Sequence, residues 1–336
     1  MLFENRQGYR TTSRSFGQTP SDPKSAGKPA PAQESFPASA FKRAQRVLIF
    51  ALMATIPFQS HASLASAHPL SINVYNPGTA SVFPVSSEII TGPRDAILID
   101  AQFQTNDAHH LVDIIRATHK HLQAIYISHS DPDYYFGLGV LHRAFPDAKI
   151  LATPETVAAI RVLKDRKLKY WGPILGKYAP RSLIVPEALH ADRLMLDGHR
   201  ILIEGLHGPT PARTFVYIPS LRTVLGGAVV FSGTHVWIAD SKTVQDRANW
   251  MITLRSILAL KPVRVIPGHY LGAAPKGVGA VLFTRDYLIR FDQERQQHPK
   301  TAALIAAMEA AYPKLPERTW LELSVRVVNG EYKWPQ

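Results

Sequence analysis

The sequence predicts an α+β fold, a four-layer αββα sandwich in which two mixed β layers are flanked by helices. Two observations lead to this prediction. Between residues 87 and 153, short apolar segments alternate with amphipathic ones in a β-α-β-α-β order, as in strands joined by crossover helices. Residues 213–231 then form consecutive strand-like segments, and amphipathic helices follow them. All of these segments fit one domain over residues 68–336.

Each predicted element has its own local signature. Residues 72–78 and 87–103 carry the β-branched and aliphatic residues of strands, and Gly92 with Pro93 marks a hairpin turn. Residues 107–120 repeat apolar side chains with a helical period. The remaining predictions, in chain order, are strand 122–128, helix 137–145, strand 148–153, helix 154–175 running into a loop, strand 199–206, helix 243–260, strand and loop 262–270, and helices 279–298 and 299–313.

Composition narrows the possible chemistry. The chain of 336 residues contains no cysteine, which excludes disulfides, thiolate nucleophiles and cysteine zinc sites and leaves His, Asp and Glu as metal ligands. The net charge of +12 includes 8 Lys and Arg against 3 Asp and Glu in residues 1–67, which leaves +7 for residues 68–336. Because that remainder has no basic run, we expect no nucleic-acid partner.

The first 67 residues have the composition of a targeting segment. Residues 1–40, rich in Ser, Pro, Gly, Gln and Thr, are predicted to be a disordered leader. Residues 41–67 are predicted to be a signal peptide, because three basic residues precede an apolar stretch and Ala65 and Ala67 form an A-x-A cleavage site. We therefore expect a periplasmic or secreted protein without stable membrane insertion after cleavage; an uncleaved membrane anchor is the alternative.

The segment SHSDPDYYFGL follows a predicted buried strand and places His129, Asp131 and Asp133 at alternate positions. The carboxyl end of a strand is where folds of this kind hold their chemistry. Imidazole and carboxylate groups at this spacing can converge on one divalent ion. A solvated acidic turn without a metal is the alternative interpretation.

The same segment resembles the signature of the metallo-β-lactamase superfamily, T-H-x-H-x-D-H-x-x-G. On that pattern the positions are filled by Ser128 for the threonine, His129 for the first histidine, Asp131 for the second, Asp133 for the aspartate and Tyr134 for the third histidine. AILIDAQF, with Asp100, is similar to the superfamily's apolar strand that ends in aspartate, and VRVIPGHY is similar to its late G-H, with His269. The resemblance extends over about residues 72–270 and implies the αββα fold.

Two further ligand positions of that pattern are occupied by Pro209 and Gly227, which cannot ligate through their side chains. Nearby residues offer replacements. The resemblance implies His129, Asp131, Asp133 and His269 as metal ligands, and His207 and Asp240 are the candidates that would complete the set. The candidate catalytic residues are Asp133, Tyr134 and His235, and His235 or Asp240 is a candidate ligand or proton carrier. Alternatives are a loop histidine bonded to the backbone for His207 and a packed aromatic side chain for Tyr134, and Trp237 is interpreted as a cleft wall.

The implied function is that of an exported metal-dependent hydrolase with a small-molecule substrate. One or two ions of zinc, iron or manganese would hold a hydroxide that attacks an ester, lactone or amide carbonyl, and a carboxylate-rich ligand set favours iron(II) or manganese over zinc. The sequence contains neither a G-x-S-x-G elbow nor a phosphate-binding loop. A catalytically degenerate periplasmic binding protein on the same fold is the alternative, and the oligomeric state stays open.

Overall fold

A computed structural model of the chain describes residues 69–334. The predicted leader and signal peptide lie outside the described residues. Within residues 69–334, no helix combines the length and the apolar character needed to cross a membrane.

The first sheet contains six strands whose spatial order follows the chain. They are β1 (Ser71–Tyr75), β2 (Ser87–Thr91), β3 (Asp95–Ile99), β4 (His121–Ile127), β5 (Lys149–Ala152) and β6 (Glu187–Ala188). The first three are antiparallel neighbours, and β3 to β6 are parallel. The parallel strands are connected by the helices α1 (Thr105–Ala117), α2 (Pro132–Tyr135), α3 (Leu138–Ala144) and α4 (Pro154–Leu175). The predicted β-α-β-α-β order is therefore present.

The second sheet contains the meander that the sequence predicts around residues 213–231. Its strands are β7 (Arg193–Leu196), β8 (His199–Glu204), β9 (Phe215–Ile218), β10 (Thr223–Leu225) and β12 (Arg264–Val265), in the spatial order β12-β10-β9-β8-β7. A short parallel pair, β11 (Phe231–Ser232) and β13 (His269–Tyr270), aligns Phe231 with His269. The helices that follow the meander are α5 (Val244–Ala259), α6 (Gly279–Gln297), α7 (Thr301–Ala311) and α8 (Arg318–Val328).

Alternate side chains of the first sheet enter two different hydrophobic cores. In β3, Ile97 and Ile99 pack with residues of the second sheet, whereas Ala96 and Leu98 pack with residues of the helices. β4 repeats this alternation. Because both faces of these strands are buried, their sequences are continuous apolar runs rather than half-polar ones. The two sheets thus lie against each other with helices outside them, and the predicted αββα sandwich is confirmed.

β7 and α8 are among the elements that have no counterpart in the sequence prediction. β7 is a four-residue strand whose alternate residues Arg193 and Met195 are exposed, so its apolar signal is only two residues long. α8 follows a proline-containing loop and buries Trp320, Leu321 and Val325. This helix matters for function, because Trp320 lines the main cleft.

Candidate active site

The site is assembled by a buried carboxylate at the carboxyl end of β3. Asp100 accepts hydrogen bonds from the backbone N–H of Ser128 at 2.8 Å and, more weakly, from the N–H of Gly227 at 3.3 Å. The Ser128 hydroxyl also donates to Asp100, at 2.7 Å. Burial raises the pKa of Asp100 to about 7, although these hydrogen bonds act to lower it. Asp100 therefore ties the loop after β4 to the loop after β10 and fixes where the motif residues begin.

Asp131 belongs to one half of the motif, and its charge is balanced by a lysine. The Lys167 ammonium on α4 lies 3.0 Å from Asp131 Oδ1, and only 2% of the Lys167 side chain is exposed. Burial alone would raise the pKa of Asp131, but the positive charge of Lys167 and the other nearby cationic groups lower it below the usual carboxyl range. Asp131 is therefore an ionised partner of a buried ammonium.

His129 contacts Asp131 through the ring nitrogen Nδ1. The backbone N–H of Asp131 donates to His129 Nδ1 at 3.0 Å, and Asp131 Oδ2 lies 3.3 Å from the same nitrogen. Burial lowers the pKa of His129 to about 3, so the ring is neutral near pH 7. The other nitrogen, Nε2, is buried and has no hydrogen-bond partner in the described part of the chain.

Asp133 belongs to the second half of the motif and pairs with an imidazole. His269 Nε2 lies 3.1 Å from Asp133 Oδ2, and both side chains are almost fully buried. Burial raises the pKa of Asp133, and the hydrogen bond and charge of His269 oppose this effect. The His269 ring stacks on Phe231, with a centroid distance of 4.9 Å. The structure therefore brings together Asp133 and His269, which are 136 residues apart in the chain.

Tyr134 lies between the two histidines. Its ring is edge-on to His129 at 5.5 Å and to His269 at 5.7 Å, and its hydroxyl is buried without a hydrogen-bond partner among residues 69–334. Burial raises the pKa of Tyr134 well above its ordinary value, and the neighbouring carboxylates add to this shift. The buried environment of Tyr134 thus favours the protonated phenol, and its catalytic role stays a prediction.

All five tryptophans of the chain line one cleft beside these residues. They are Trp171, Trp237, Trp250, Trp320 and Trp334, and the same cleft is lined by Asp131, Asp133, Lys167, Arg213, Asp240 and His269. Its empty volume is about 520 Å³, solvent at the mouth included. Aromatic walls around a few charged groups are typical of a site that binds a small, largely apolar molecule.

Asp240 fixes two of these walls. Trp237 donates its indole N–H to Asp240 Oδ2 at 2.6 Å, and Trp334 donates to Oδ1 at 2.7 Å. Arg213 donates to the Asp240 backbone carbonyl at 3.2 Å. The structure thus places Asp240 in the cleft, where its carboxylate orients indole rings, and the prediction that Trp237 forms a wall agrees with the position of its ring.

Two of the residues proposed from the sequence lie outside the cleft. His207 is exposed on the loop after β8, where it lines a separate surface depression with Gly205 and Pro209. His235 is buried, and its Nδ1 lies 2.8 Å from the hydroxyl of Tyr287 on α6. His207 therefore lies away from the motif, and the side chain of His235 is turned toward the helices. The structure does not bring these two residues together with the motif, and their expected roles stay predictions.

Several cleft residues were missed by reasoning from sequence. Lys167 is one of three lysines within six positions of α4, yet it shares the helix face of Ile160 and Trp171, which are also buried. Lys167 follows Ile160 by seven residues and precedes Trp171 by four, which is the spacing of one helix face. This spacing is the sequence signal that could have predicted a buried Lys167. Trp320 and Trp334 are far along the chain from the motif, and only the position of the last helix brings them to the cleft.

Comparison with known proteins identifies the family. The model of the metallo-β-lactamase superfamily matches residues 80–269, which is more than half of the chain. The chain belongs to the metallo-β-lactamase superfamily. No curated protein matches the chain.

Solved structures of metallo-β-lactamases resemble the fold at low sequence identity. A metallo-β-lactamase from Pontibacter korlensis is 16% identical, with a TM-score of 0.45 over 66% of this chain and 93% of that one. The metallo-β-lactamase DIM-1 is 17% identical, with a TM-score of 0.44 over 66% and 92%. The B3 enzyme BLEG-1 is 13% identical, with a TM-score of 0.48 over 65% and 99%.

Members of the superfamily typically bind divalent metals, but the residues of this chain do not fit the superfamily's pair of ions. Gly227 has a φ of +78°, and a Cβ there would lie 2.4 Å from the carbonyl oxygen of Thr214, so the position of the bridging aspartate is closed to any side chain. Pro209 is exposed on its loop, and Asp131 is bound by Lys167. Across residues 69–334, no three His, Asp or Glu side chains are arranged to hold an ion. We therefore assign no catalytic step to a metal.

Proposed function

We propose that this chain is a hydrolase of a small ester, lactone or amide with a flat apolar or aromatic body, and that the tryptophan-lined cleft is its reaction site. The observation that carries the proposal is the Asp133–His269 pair, a buried carboxylate and imidazole 3.1 Å apart at the wall of that cleft. Membership of a superfamily with a hydrolase-like fold supports the same reaction class.

Asp133 is the proposed general base. Donation from His269 Nε2–H to Oδ2 fixes the orientation of the carboxylate, and burial makes it more basic than an exposed aspartate because its pKa is raised. Asp133 takes a proton from a water molecule, and the water oxygen attacks the carbonyl carbon while the carbonyl electron pair moves to oxygen. The oxyanion then re-forms the carbonyl as the bond from its carbon to the leaving oxygen or nitrogen breaks, and Asp133 returns the proton to that leaving atom, giving an acid and an alcohol or amine.

The developing oxyanion needs positive charge close to the reacting carbonyl group. Lys167 and Arg213 line the same cleft as Asp133. An ammonium has three donors, and in the described part of the chain one of those of Lys167 is directed to Asp131. Cations fixed in place before the reaction stabilise such charge without reorganisation. The aromatic walls supply a binding surface for the body of the substrate and exclude water from the reacting group.

The test is turnover of aryl and naphthyl esters, aromatic lactones and anilides by the purified protein. Asp133→Asn keeps the shape of the side chain and removes the base, so kcat/KM should fall by about 100-fold or more. The matched control is Asp165→Asn, an exposed aspartate on α4 whose side chain is 80% exposed, and it should retain full activity. Thermal unfolding of each variant checks that it is folded.

Two outcomes would contradict the proposal. Equal activity of wild type and Asp133→Asn would place the reaction elsewhere. Quenching of tryptophan fluorescence detects binding of these compounds. Binding without turnover would support the binding protein that the sequence leaves as the alternative.

A further inference from the structure

A buried lysine lies beside one of the metal-ligand positions of the superfamily motif. The ammonium of Lys167 lies 3.0 Å from Oδ1 of Asp131, and Asp131 occupies the position of the second histidine of the motif. Only 2% of the Lys167 side chain is exposed. The same ammonium lies 5.7 Å from the centre of the Trp334 ring. Lysine is almost never fully buried unless it is paired, and here one carboxylate and one aromatic face surround it.

The contacts of Nδ1 assign a tautomer to the His129 ring. This nitrogen lies 3.0 Å from the backbone N of Asp131 and 3.3 Å from Asp131 Oδ2, and the shorter contact, in which the N–H donates, assigns the lone pair to Nδ1. A neutral imidazole has one hydrogen, so Nε2 carries it. Nε2 is the nitrogen left without a partner, and as an N–H it is a donor. A metal ion requires the lone pair of a deprotonated nitrogen.

We propose that the ammonium of Lys167 replaces the first metal ion of the superfamily, so that the half of the site formed by His129 and Asp131 carries an organic cation and binds no divalent ion. Three features agree with this assignment. Asp131 already has its counter-charge, Gly227 admits no bridging carboxylate, and Pro209 has no ligating group.

The replacement is consistent with the charge of the site. A divalent ion bound by Asp131 would lie within a few ångströms of a buried ammonium, and like charges at that distance repel strongly where water is excluded. Burial alone would lower the pKa of Lys167, but the carboxylates of Asp131 and Asp240 more than reverse this effect, so its pKa is raised. Lys167 therefore stays charged at the pH values at which metals bind.

The experiment measures zinc and manganese binding by the purified chain, by competition with a chromogenic chelator and by elemental analysis after gel filtration. Wild type should hold no ion that depends on Asp131. Lys167→Met removes the ammonium and exposes the carboxylate, so zinc affinity should rise on the order of tenfold or more. Lys169→Met changes an exposed lysine of the same helix and should leave zinc affinity unchanged.

Two further variants keep the test decisive if Lys167→Met folds poorly. Lys167→Arg retains the positive charge and should bind zinc as weakly as wild type. The double variant Lys167→Met with Asp131→Asn removes both charges, and it should fold yet bind no zinc. A wild-type protein that retains one equivalent of zinc and loses it on Asp131→Asn would overturn the inference, as would an unchanged zinc affinity in folded Lys167→Met.

A spectroscopic readout tests the same inference without any variant of Lys167. Histidine side-chain ¹⁵N spectra, with the His129 signal assigned by its loss in His129→Gln, should show the Nε2–H form, and zinc should leave that signal in place. Loss of the Nε2 proton on addition of zinc would overturn the inference. These measurements are independent of turnover, so the inference and the proposed hydrolysis can fail separately.

Discussion

Asp131 and Asp133 are two residues apart, yet the protein gives them opposite environments. Asp131 faces the ammonium of Lys167 at 3.0 Å, and its pKa is lowered. Asp133 faces the imidazole of His269 at 3.1 Å, and its pKa is raised by burial. Both pairs line the same cleft. The difference lies in the partner, because a lysine carries a full charge whereas a histidine can supply a hydrogen bond alone.

This contrast separates a structural charge from a reactive one. A carboxylate held ionised by a permanent cation is a poor base, while a buried carboxylate with a raised pKa can take up a proton during a reaction. Neighbouring aspartates with divergent pKa values therefore suggest separate roles. In this cleft, Asp131 balances the charge of Lys167 and Asp133 is left for proton transfer.

The largest effect is expected when the Asp131–Lys167 pair is broken. Lys167→Met leaves a buried carboxylate without its cation, so the free energy of unfolding should fall by about 4 kcal/mol. Adding Asp131→Asn should restore most of that loss, because the unpaired charge disappears. The equivalent cycle of Asp133→Asn with His269→Asn should give a smaller coupling of about 2 kcal/mol, the size expected of a hydrogen bond to a charged group. Urea unfolding of all the variants measures both couplings.

The control for this cycle is Lys169→Met on the exposed face of α4, which should change the free energy of unfolding by less than about 0.5 kcal/mol. Equal coupling energies at the two aspartates would remove the distinction between them.

The fold could be predicted largely because its strands are buried on both sides. β3 and β4 are continuous apolar runs, and Gly92 and Pro93 mark the turn between β2 and β3. These signals are local, so the order of the elements follows from the sequence. β7 escaped prediction because its exposed Arg193 and Met195 leave only two buried apolar residues, a pattern too short to distinguish a strand from a loop.

The candidate site was predicted only in part, because its decisive contacts are long-range. The motif itself points to Asp131 and Asp133, but nothing near them in sequence indicates that Lys167 from α4 or Trp334 from the end of the described chain would join them. The loss of the bridging position at Gly227 is visible in the sequence, whereas its physical reason, the close carbonyl of Thr214, appears only in three dimensions.

Glu88 is a further buried carboxylate, and its partner is neither a lysine nor a histidine. Glu88 on β2 is fully buried and forms no ion pair with any described residue. Burial raises its pKa to about 8, the Ser86 hydroxyl and Arg264 oppose the shift, and Asp100 adds to it. A raised carboxyl pKa favours the folded state while the group is protonated. The stabilisation is complete below pH 4.5, the ordinary pKa, and is lost as the pH rises through 8.

Glu88→Gln keeps the shape of the side chain without the ionisation. The wild-type free energy of unfolding, relative to that of Glu88→Gln, should therefore fall by roughly 3 kcal/mol between pH 5 and pH 8. Urea unfolding at several pH values measures this difference, and groups that do not interact with Glu88 cancel because they titrate in both proteins. A difference that stays constant over this range would show that Glu88 is ionised in the folded protein despite its burial.

The smallest effect is expected at His207, which the sequence suggested as a replacement metal ligand. His207 is exposed on the loop after β8 and lines a depression separate from the tryptophan cleft. His207→Ala should therefore leave kcat/KM within about twofold and the free energy of unfolding within about 0.5 kcal/mol, as is usual for surface substitutions. A tenfold loss of activity with unchanged stability would mean that the loop brings His207 to the cleft during the reaction.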